Sequence, residues 1–452
     1  MSELKNKKAV VVGLAKSGIA AIHFLARQGA RVVANDLKPA IELKESLVRL
    51  QGLPVEIVLG SHPENVFLSA DLIVISPGVP QNLLSLVKAR EQGVSVVSEL
   101  EFAARELQIP LIAVTGTNGK STTVSLIGEI MKRDRGTAQV FVGGNLGTPL
   151  TELLLAPDGV ELAVVEVSSF QLEFVDAFHP RVAVMLNLSP DHLDRYRDFQ
   201  DYAETKWRVF RRQTADDFAV VNLDDPTAAA MSKGMKPRLM TISLDQAPAF
   251  GMWRRGEVLE FRGEAATVEE LLLSEIPLAG THNLENVMAA VCAARAMGAP
   301  MTAVREAVRG FKTLAHRLAL VRERGGVRFY NDSKATNVGA VEADVRGLTE
   351  PLILLMGGQA KGCSFSELAG KIAPRVKLVM AFGESRHQLQ REMGDRLAVT
   401  VVADLREALA GAAAAAKPGD AVLLAPACAS FDQFKDYKDR GETFARLVGE
   451  LS

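Results

Sequence analysis

Leu111-Ile112-Ala113-Val114-Thr115-Gly116-Thr117-Asn118-Gly119-Lys120-Ser121-Thr122 runs from a short apolar strand into a tight glycine-containing turn, and a helical pattern follows from Thr123 to Met131. Backbone N–H groups in such a turn, with a helix N-terminus behind them, point at anionic oxygens. Lys120 adds a point charge for terminal phosphates, and Ser121 or Thr122 a hydroxyl for Mg²⁺. ATP or GTP is therefore the first ligand to consider. The full Walker pattern is incomplete, because Val114 stands where its first glycine belongs. A Gly-Lys-Ser triplet alone is equally a surface turn; the strand before it and the helix after it are what point to phosphate.

Upstream of this loop, short apolar strands alternate with helical patterns. Strands are expected at Lys8 to Val12, Arg31 to Asn35, Val55 to Leu59, Leu72 to Ile75 and Ser95 to Val97, with a helix from Gly18 to Gln28. That alternation indicates a parallel, doubly wound sheet. A second unit opens at Gln108-Ile109-Pro110. Its later strands include Leu162 to Val165 and Val182 to Asn187, and Met252 to Phe261 forms a hairpin turning at Arg255-Gly256. Helices follow at Asn283 to Met297 and Thr302 to Gly310. A third unit begins near Thr313 to His316, with strands at Val327 to Asn331, Leu352 to Met356, Leu378 to Phe382, Val399 to Val402 and Ala421 to Ala425. The Ala-rich stretch Ala408 to Ala416 is a plain helix former. The expected fold is α/β in three domains, at residues 1–101, 102–313 and 314–452.

The chain has 452 residues, enough for about three domains. A net charge of −2 argues against broad electrostatic binding to nucleic acid. Cys292, Cys363 and Cys428 are widely spaced and read as reduced thiols of a cytoplasmic protein. The lysine-rich start leads into a strand and does not read as a signal peptide. No apolar run reaches the ~18–20 residues of a membrane span.

Several strand ends carry groups capable of chemistry. Gly13-Leu14-Ala15-Lys16-Ser17-Gly18 approximates a dinucleotide fingerprint, with Ala15 in place of the middle glycine, and Asp36 sits where a ribose-binding acid is expected. A structural βαβ turn is the plainer reading. Ser76 lies in a second loop of this kind. In the middle unit Glu166 ends a buried strand, where an acid can hold Mg²⁺ on nucleotide phosphates or simply face solvent. His192, between Asp191 and Asp194, suits a metal ligand or a positioned base. Gly143-Gly144-Asn145-Leu146-Gly147 reads as a flexible turn, either punctuation or a ligand clamp. Asn283 and Asn286 share a helix face; one could cap the helix, or both bind a polar ring edge such as adenine. In the third unit, Asn331-Asp332-Ser333-Lys334-Ala335-Thr336-Asn337, Gly357-Gly358-Gln359-Ala360-Lys361-Gly362 and Ser430 to Tyr437 follow strands and should gather at one sheet edge. Lys334, Lys361 and nearby hydroxyls there suit a carboxylate-bearing substrate.

Taken together, these blocks resemble the Mur ligases of peptidoglycan synthesis, over essentially the whole chain. The most specific are Gly116 to Ser121, Glu166-Val167-Ser168-Ser169-Phe170-Gln171, Asp191-His192-Leu193-Asp194-Arg195, His282-Asn283-x-x-Asn286, His316-Arg317 and Asn331 to Asn337. The last, with Pro426 to Phe434, resembles the branch that joins D-glutamate to UDP-N-acetylmuramoyl-L-alanine. The resemblance implies a Rossmann-like UDP-binding domain, a P-loop-type central ATPase domain and a Rossmann-like C-terminal domain. It implies uridine or pyrophosphate contacts at Ser17, Asp36 and Ser76, with Asn145 beside the muramoyl substrate. The ATP-contacting positions would be Gly116, Thr117, Asn118, Gly119, Lys120, Ser121, Thr122, Asn283, Asn286, Arg317 and Asp332. Two Mg²⁺ would be held by Ser121, Thr122, Glu166 and His192. D-glutamate would meet Lys334, Thr336, Lys361, Ser430 and Tyr437. Lys206, which by itself reads as an ordinary helix-surface lysine, matches a lysine that this family carbamylates into an anionic Mg²⁺ ligand. The implied reaction is ATP-driven amide formation through an acyl phosphate, by a cytoplasmic monomer. A nicotinamide-dependent oxidoreductase, a P-loop switch protein and a folate polyglutamate ligase are the rival readings; Ala15, the phosphate loop and the Asp332 to Asn337 block stand against them.

Overall fold

The computed structural model describes residues 4–145, 147–155, 159–193, 195–263, 267–278, 280–312, 314–360, 362 and 364–451. Leu146, Asp194, Thr313, Lys361 and Cys363 from the motifs above lie outside them. The described residues form three sheets. The first comprises β1 (Lys8–Val12), β2 (Arg31–Asp36), β3 (Val55–Leu59), β4 (Leu72–Ile75) and β5 (Ser95–Ser98), all parallel in the order β3-β2-β1-β4-β5. The chain runs to opposite sides of β1, so a crevice opens at its carboxyl end. There Gly13 has φ +93°, and a Cβ on it would stand 2.8 Å from Ser76 Cβ. A second glycine, Gly18, is needed because its Cβ would meet the Gly13 carbonyl oxygen at 1.9 Å. The glycines of the imperfect fingerprint thus serve the close packing of loop, helix and neighbouring strand.

The second sheet contains β6 (Leu111–Thr115), β7 (Val140–Gly144), β8 (Leu162–Glu166), β9 (Val182–Met185), β10 (Phe218–Asn222), β11 (Arg238–Ser243), β12 (Gly251–Arg255), β13 (Val258–Arg262) and β14 (Val268–Leu272). Its order is β14-β13-β12-β11-β10-β9-β6-β8-β7, parallel except for the β12-β13-β14 meander. Along β6 successive side chains alternate between faces. Ile112 and Val114 enter the apolar layer beneath the helices Lys120–Arg135 and Thr281–Ala296, and Leu111 and Ala113 the layer on the other face. Each such fully buried aliphatic side chain contributes ~1.5–3 kcal/mol of burial free energy before conformational entropy is subtracted. The third sheet comprises β15 (Ala319–Arg324), β16 (Val327–Asn331), β17 (Leu352–Gly357), β18 (Val376–Phe382), β19 (Val399–Val401) and β20 (Ala421–Leu424). Its order is β15-β16-β20-β17-β18-β19, with only β15 antiparallel.

β7, β10, β11, β14 and β15 lie outside the strands read from the sequence. The Gly143-Gly144 stretch is the instructive miss, being the buried end of β7 and not a flexible turn. Glycine is required at residue 144 because a Cβ would lie 2.4 Å from the Glu166 carbonyl oxygen of β8. Two buried carboxylates join the first two sheets. The helix Glu99–Glu106 carries Glu99, whose Oε1 accepts from Thr151 N and Oγ1 at 2.8 and 2.9 Å. Glu101 on the same helix accepts the backbone N–H groups of Asp176, Ala177 and Phe178.

Candidate functional site

The loop after β6 is held open by the neighbouring strand end. Past β9, Asn187 turns back so that its carbonyl accepts Thr117 N at 2.9 Å and its Oδ1 accepts Asn118 N at 2.8 Å. Thr117 Oγ1 bonds Ser189 and the Tyr202 hydroxyl, the latter at 3.1 Å. Gly119, at φ +85°, is the N-cap of the helix Lys120–Arg135. The first-turn N–H groups of that helix, at Lys120, Ser121 and Thr122, have no intrahelical acceptor and carry the positive end of the helix dipole. Lys120 Nζ donates to the loop carbonyls of Gly116 and Thr117 at 2.8 and 2.7 Å. Val114 is a buried core residue of β6, so the turn begins at Gly116 and no earlier glycine is needed.

Register places Glu166 on β8 directly opposite Val114. Its carboxylate is 4% exposed and takes hydrogen bonds from Ser121 Oγ at 2.5 Å and Asn145 Nδ2 at 2.7 Å. Burial pushes this carboxyl up, but Lys120, Arg317 and the two hydrogen bonds outweigh it, leaving the group below the usual carboxylate range and ionised. Arg317, from the chain entering the third sheet, donates to the same Ser121 hydroxyl. A buried ionised carboxylate beside a hydroxyl and a helix N-terminus is a hard-oxygen donor set of the kind Mg²⁺ takes, with waters and phosphates completing its shell. Among the described residues no three His, Cys, Asp or Glu side chains gather into a ligand set on their own.

Lys206 sits on the helix Phe199–Trp207 at 2% exposure, not on its surface, and Nζ donates to the Gly116 carbonyl at 2.8 Å. Burial, with nearby Lys120 adding to it, holds the amine well below its ordinary value of 10.5. His192 has φ +55° and packs edge-on to Phe170, with Nε2 3.7 Å from Asp191 Oδ2.

A cavity of about 710 Å³ separates the phosphate loop from the third sheet. Asn118, Gly119 and Thr122 line one wall; Arg317, Asp332 and Lys334 face them. Asn283 and Asn286 complete it from the helix Thr281–Ala296, whose N-cap is Gly280, so neither asparagine is spent on capping. Asn286 instead donates to Asn283 Oδ1 at 3.1 Å and accepts from Thr123 Oγ1 at 3.3 Å. Burial pushes the Asp332 carboxyl up to about 6, with Arg317 opposing. Burial, and then the Asp332 charge, drive the Asp344 carboxyl well above the usual carboxylate range. Asn337 crosses the seam to bond Asn118 and Asp191, both at 3.2 Å.

Beyond this wall the third-sheet loops meet. Lys334 Nζ lies 4.0 Å from the centroid of the Tyr437 ring, and Ser430 is buried beside the isolated bridge between Gln359 and Ala429. Thr336 is half-buried in the same loop as Lys334. In the first sheet, Ser17 Oγ and Ser76 Oγ face each other at 3.4 Å. Asp36 uses both carboxylate oxygens on backbone N–H groups, of Leu14 at 2.8 Å and Lys38 at 2.9 Å. Asn187, Tyr202, Asn337 and Asp344 were not singled out from the sequence. Asn337 closes a quoted motif, and Asn187 ends an expected strand. Tyr202 and Asp344 follow ordinary helical periodicity, which carries no sign of what they touch. Cys292 and Cys428 are buried, and Cys428 Sγ lies 3.3 Å from Ser385 Oγ.

Three family models match the chain: Mur ligase MurD-like, N-terminal domain, over residues 7–98; Mur ligase middle domain, over 114–294; and Mur ligase, glutamate ligase domain, over 316–428. A UDP-N-acetylmuramoylalanine–D-glutamate ligase from Geotalea daltonii is 43% identical over 450 residues, spanning 100% of this chain and 99% of that protein. The protein of the same name from Trichlorobacter lovleyi is 44% identical over 449 residues, spanning 99% of this chain and 100% of its own. Among solved structures, a pseudomurein peptide ligase type C from Methanothermus fervidus matches with a TM-score of 0.65 at 18% identity, over 99% of this chain and 100% of that one. MurF ligase from Thermotoga maritima, in complex with ADP, matches with a TM-score of 0.61 at 16% identity, over 100% of both chains. These two likenesses show a common three-domain α/β fold. The chain belongs to the Mur ligase family.

Proposed function

We propose that this chain is an ATP-dependent amide ligase that adds D-glutamate to UDP-N-acetylmuramoyl-L-alanine in cytoplasmic peptidoglycan precursor synthesis. The observation that carries the reading is the cavity bounded by the phosphate loop on one side and by Arg317, Asp332 and Lys334 on the other. Relatives named for this reaction match from end to end, and no helix among the described residues is long and apolar enough to cross a membrane. We place the domain boundaries after residues 101 and 313, assign UDP recognition to Ser17, Asp36 and Ser76 in the first domain, and take the enzyme to be a monomer.

In the reaction, the alanyl carboxylate of the UDP substrate attacks the γ-phosphorus and ADP leaves, giving an acyl phosphate. The D-glutamate amine then attacks that carbonyl and expels phosphate, leaving an amide and releasing a proton. The protein contributes positioning and charge neutralisation. Gly116 to Thr122 cradle the phosphates, Lys120 and Arg317 offset repulsion between triphosphate and carboxylate, and Asn283 and Asn286 hold the base. Asn145 lies between Glu166 and the muramoyl end. Lys334, Thr336, Lys361, Ser430 and Tyr437 hold D-glutamate. Glu166, Ser121, Thr122 and His192 would hold two Mg²⁺, which supply Lewis-acid neutralisation of the phosphates. Burial holds the Lys206 amine well below its ordinary value and so favours the neutral form that adds to CO₂: a C–N bond forms, a proton leaves, and the neutral amine becomes an anionic carbamate. Closure of the third domain excludes the water that would hydrolyse the acyl phosphate.

The decisive assay is phosphate release from ATP in the presence of UDP-N-acetylmuramoyl-L-alanine and D-glutamate. Release should require both and should fail with L-glutamate. Equal release with either enantiomer, or with neither, refutes the assignment.

A further inference from the structure

Arg440 lies on the helix Tyr437–Glu450 with no exposed surface. Its Nε donates to Ser333 Oγ at 2.9 Å, and Nη2 to Ser333 O and Cys428 O at 2.9 and 3.1 Å. Nη1 donates to Cys428 O and Gly357 O at 3.2 and 3.4 Å. All of these acceptors are neutral oxygens. The Asp432 and Asp332 carboxylates act on the guanidinium electrostatically; a buried charge is costly all the same, and a residue serving packing alone would be apolar.

Gly357 ends β17, and Ser333 and Cys428 lie just past the carboxyl ends of β16 and β20; the three strands are adjacent in the order β16-β20-β17. They head the loops that carry Lys334 and Thr336, Gln359 to Gly362, and Ser430. The backbone is bent to reach the guanidinium: Ala427 has φ +60°, and Gly357 and Gly358 have φ +140° and +127°. A Cβ on Gly358 would stand 3.2 Å from Arg440 Nη1. Ser333 passes the restraint on, because its Oγ donates to the Tyr437 carbonyl at 2.8 Å, and the Tyr437 ring underlies the Lys334 ammonium. A planar fork can hold three strand ends in one register; a lysine ammonium on a flexible stem cannot.

We infer that Arg440 is the positioning residue of the amino-acid pocket, fixing the relative placement of the three loops that hold the incoming amino acid without touching it. This rests on the reading that Lys334, Thr336, Ser430 and Tyr437 hold D-glutamate. The test uses the full chain and measures KM for D-glutamate, ATP and the UDP substrate, together with thermal unfolding, for Arg440→Lys, Ser333→Ala and Ser430→Ala. For Arg440→Lys the KM for D-glutamate should rise about tenfold or more, while that for ATP stays within about twofold. A fall in stability with an unchanged D-glutamate KM, or an equal rise in all three constants, overturns the inference by showing a purely structural role. Should Arg440→Lys fail to fold, Ser333→Ala decides: a selective rise in the D-glutamate KM supports the inference and an unchanged value overturns it. If Ser430→Ala raises the D-glutamate KM and the other two variants do not, Arg440 loses its role and the pocket stands. If Ser430→Ala changes nothing, the pocket assignment falls and takes Arg440 with it.

Discussion

Gly119→Ala tests the phosphate loop at its tightest point. The residue has φ +85°, where a side chain costs about 1–2 kcal/mol. The new Cβ would lie 2.1 Å from Asn286 Oδ1. Asn286 must swing away, losing its bonds to Asn283 and Thr123, each worth ~0.5–1.5 kcal/mol. The sum is about 2–5 kcal/mol, falling on the groups proposed to hold phosphate and base. At ~1.4 kcal/mol per decade, nucleotide affinity should drop at least about 30-fold if most of that cost is met on binding. Gly298→Ala is the control: it shares a positive φ of +90° but has nothing within 4 Å of the added Cβ. It should cost ~1 kcal/mol of stability and leave nucleotide binding unchanged. Calorimetric titration with a non-hydrolysable ATP analogue, alongside thermal unfolding, separates the two effects. If Gly119→Ala binds the analogue within twofold of the wild type, the close approach of loop and Asn286 does not serve the nucleotide.

Lys206→Ala should abolish ligase activity, and added short carboxylates should partly restore it by standing in for a carbamate; full activity in the variant would show that the amine is dispensable. Lys206 also gives a stability test in CO₂-free buffer. Because its folded value is depressed by burial and Lys120, the unfolded chain binds a proton the folded chain lacks, so stability rises with pH between the folded value and about 10.5, by ~1.4 kcal/mol per unit, and is lost as pH falls through that window. Lys206→Met should lose that slope in chemical denaturation, and an unchanged slope would place the titration elsewhere. Arg317→Ala removes a charge-assisted bond to Ser121, worth ~1.5–3 kcal/mol, and should raise the KM for ATP about tenfold or more in steady-state assays; an unaltered KM would remove Arg317 from the nucleotide site.

What was legible in the sequence was what depends on neighbours along the chain. The strand-turn-helix at Leu111 to Met131 shows itself by apolar period and by Gly116 and Gly119. The hairpin over Met252 to Phe261 likewise forms as β12 and β13, turning just past Arg255. Contacts made across the fold left weaker marks. Glu166 could be placed at a strand end, but its pairing opposite Val114 is a matter of sheet order. The burial of Lys206 was hidden because a charged residue at a helix position reads as solvent-facing. Gly143 and Gly144 read as a turn because the close approach of Glu166 that demands them comes from another strand. Arg440 gave no signal, since its acceptors belong to loops up to 107 residues away.

Glu99 and Glu101 have a consequence for how the molecule comes apart. Each is buried and accepts N–H groups from the segments around Thr151 and Asp176 to Phe178 of the middle domain, so separating the first two domains would take backbone donors from both buried carboxylates. Across the other seam, by contrast, Arg317 lines a large cavity and Asn337 bonds Asn118 and Asp191. Heat should therefore dismantle the chain in two cooperative steps, with residues 314–452 melting as one unit and the remainder as another. Nucleotide, by filling the gap between them, should draw the two transitions towards a single one.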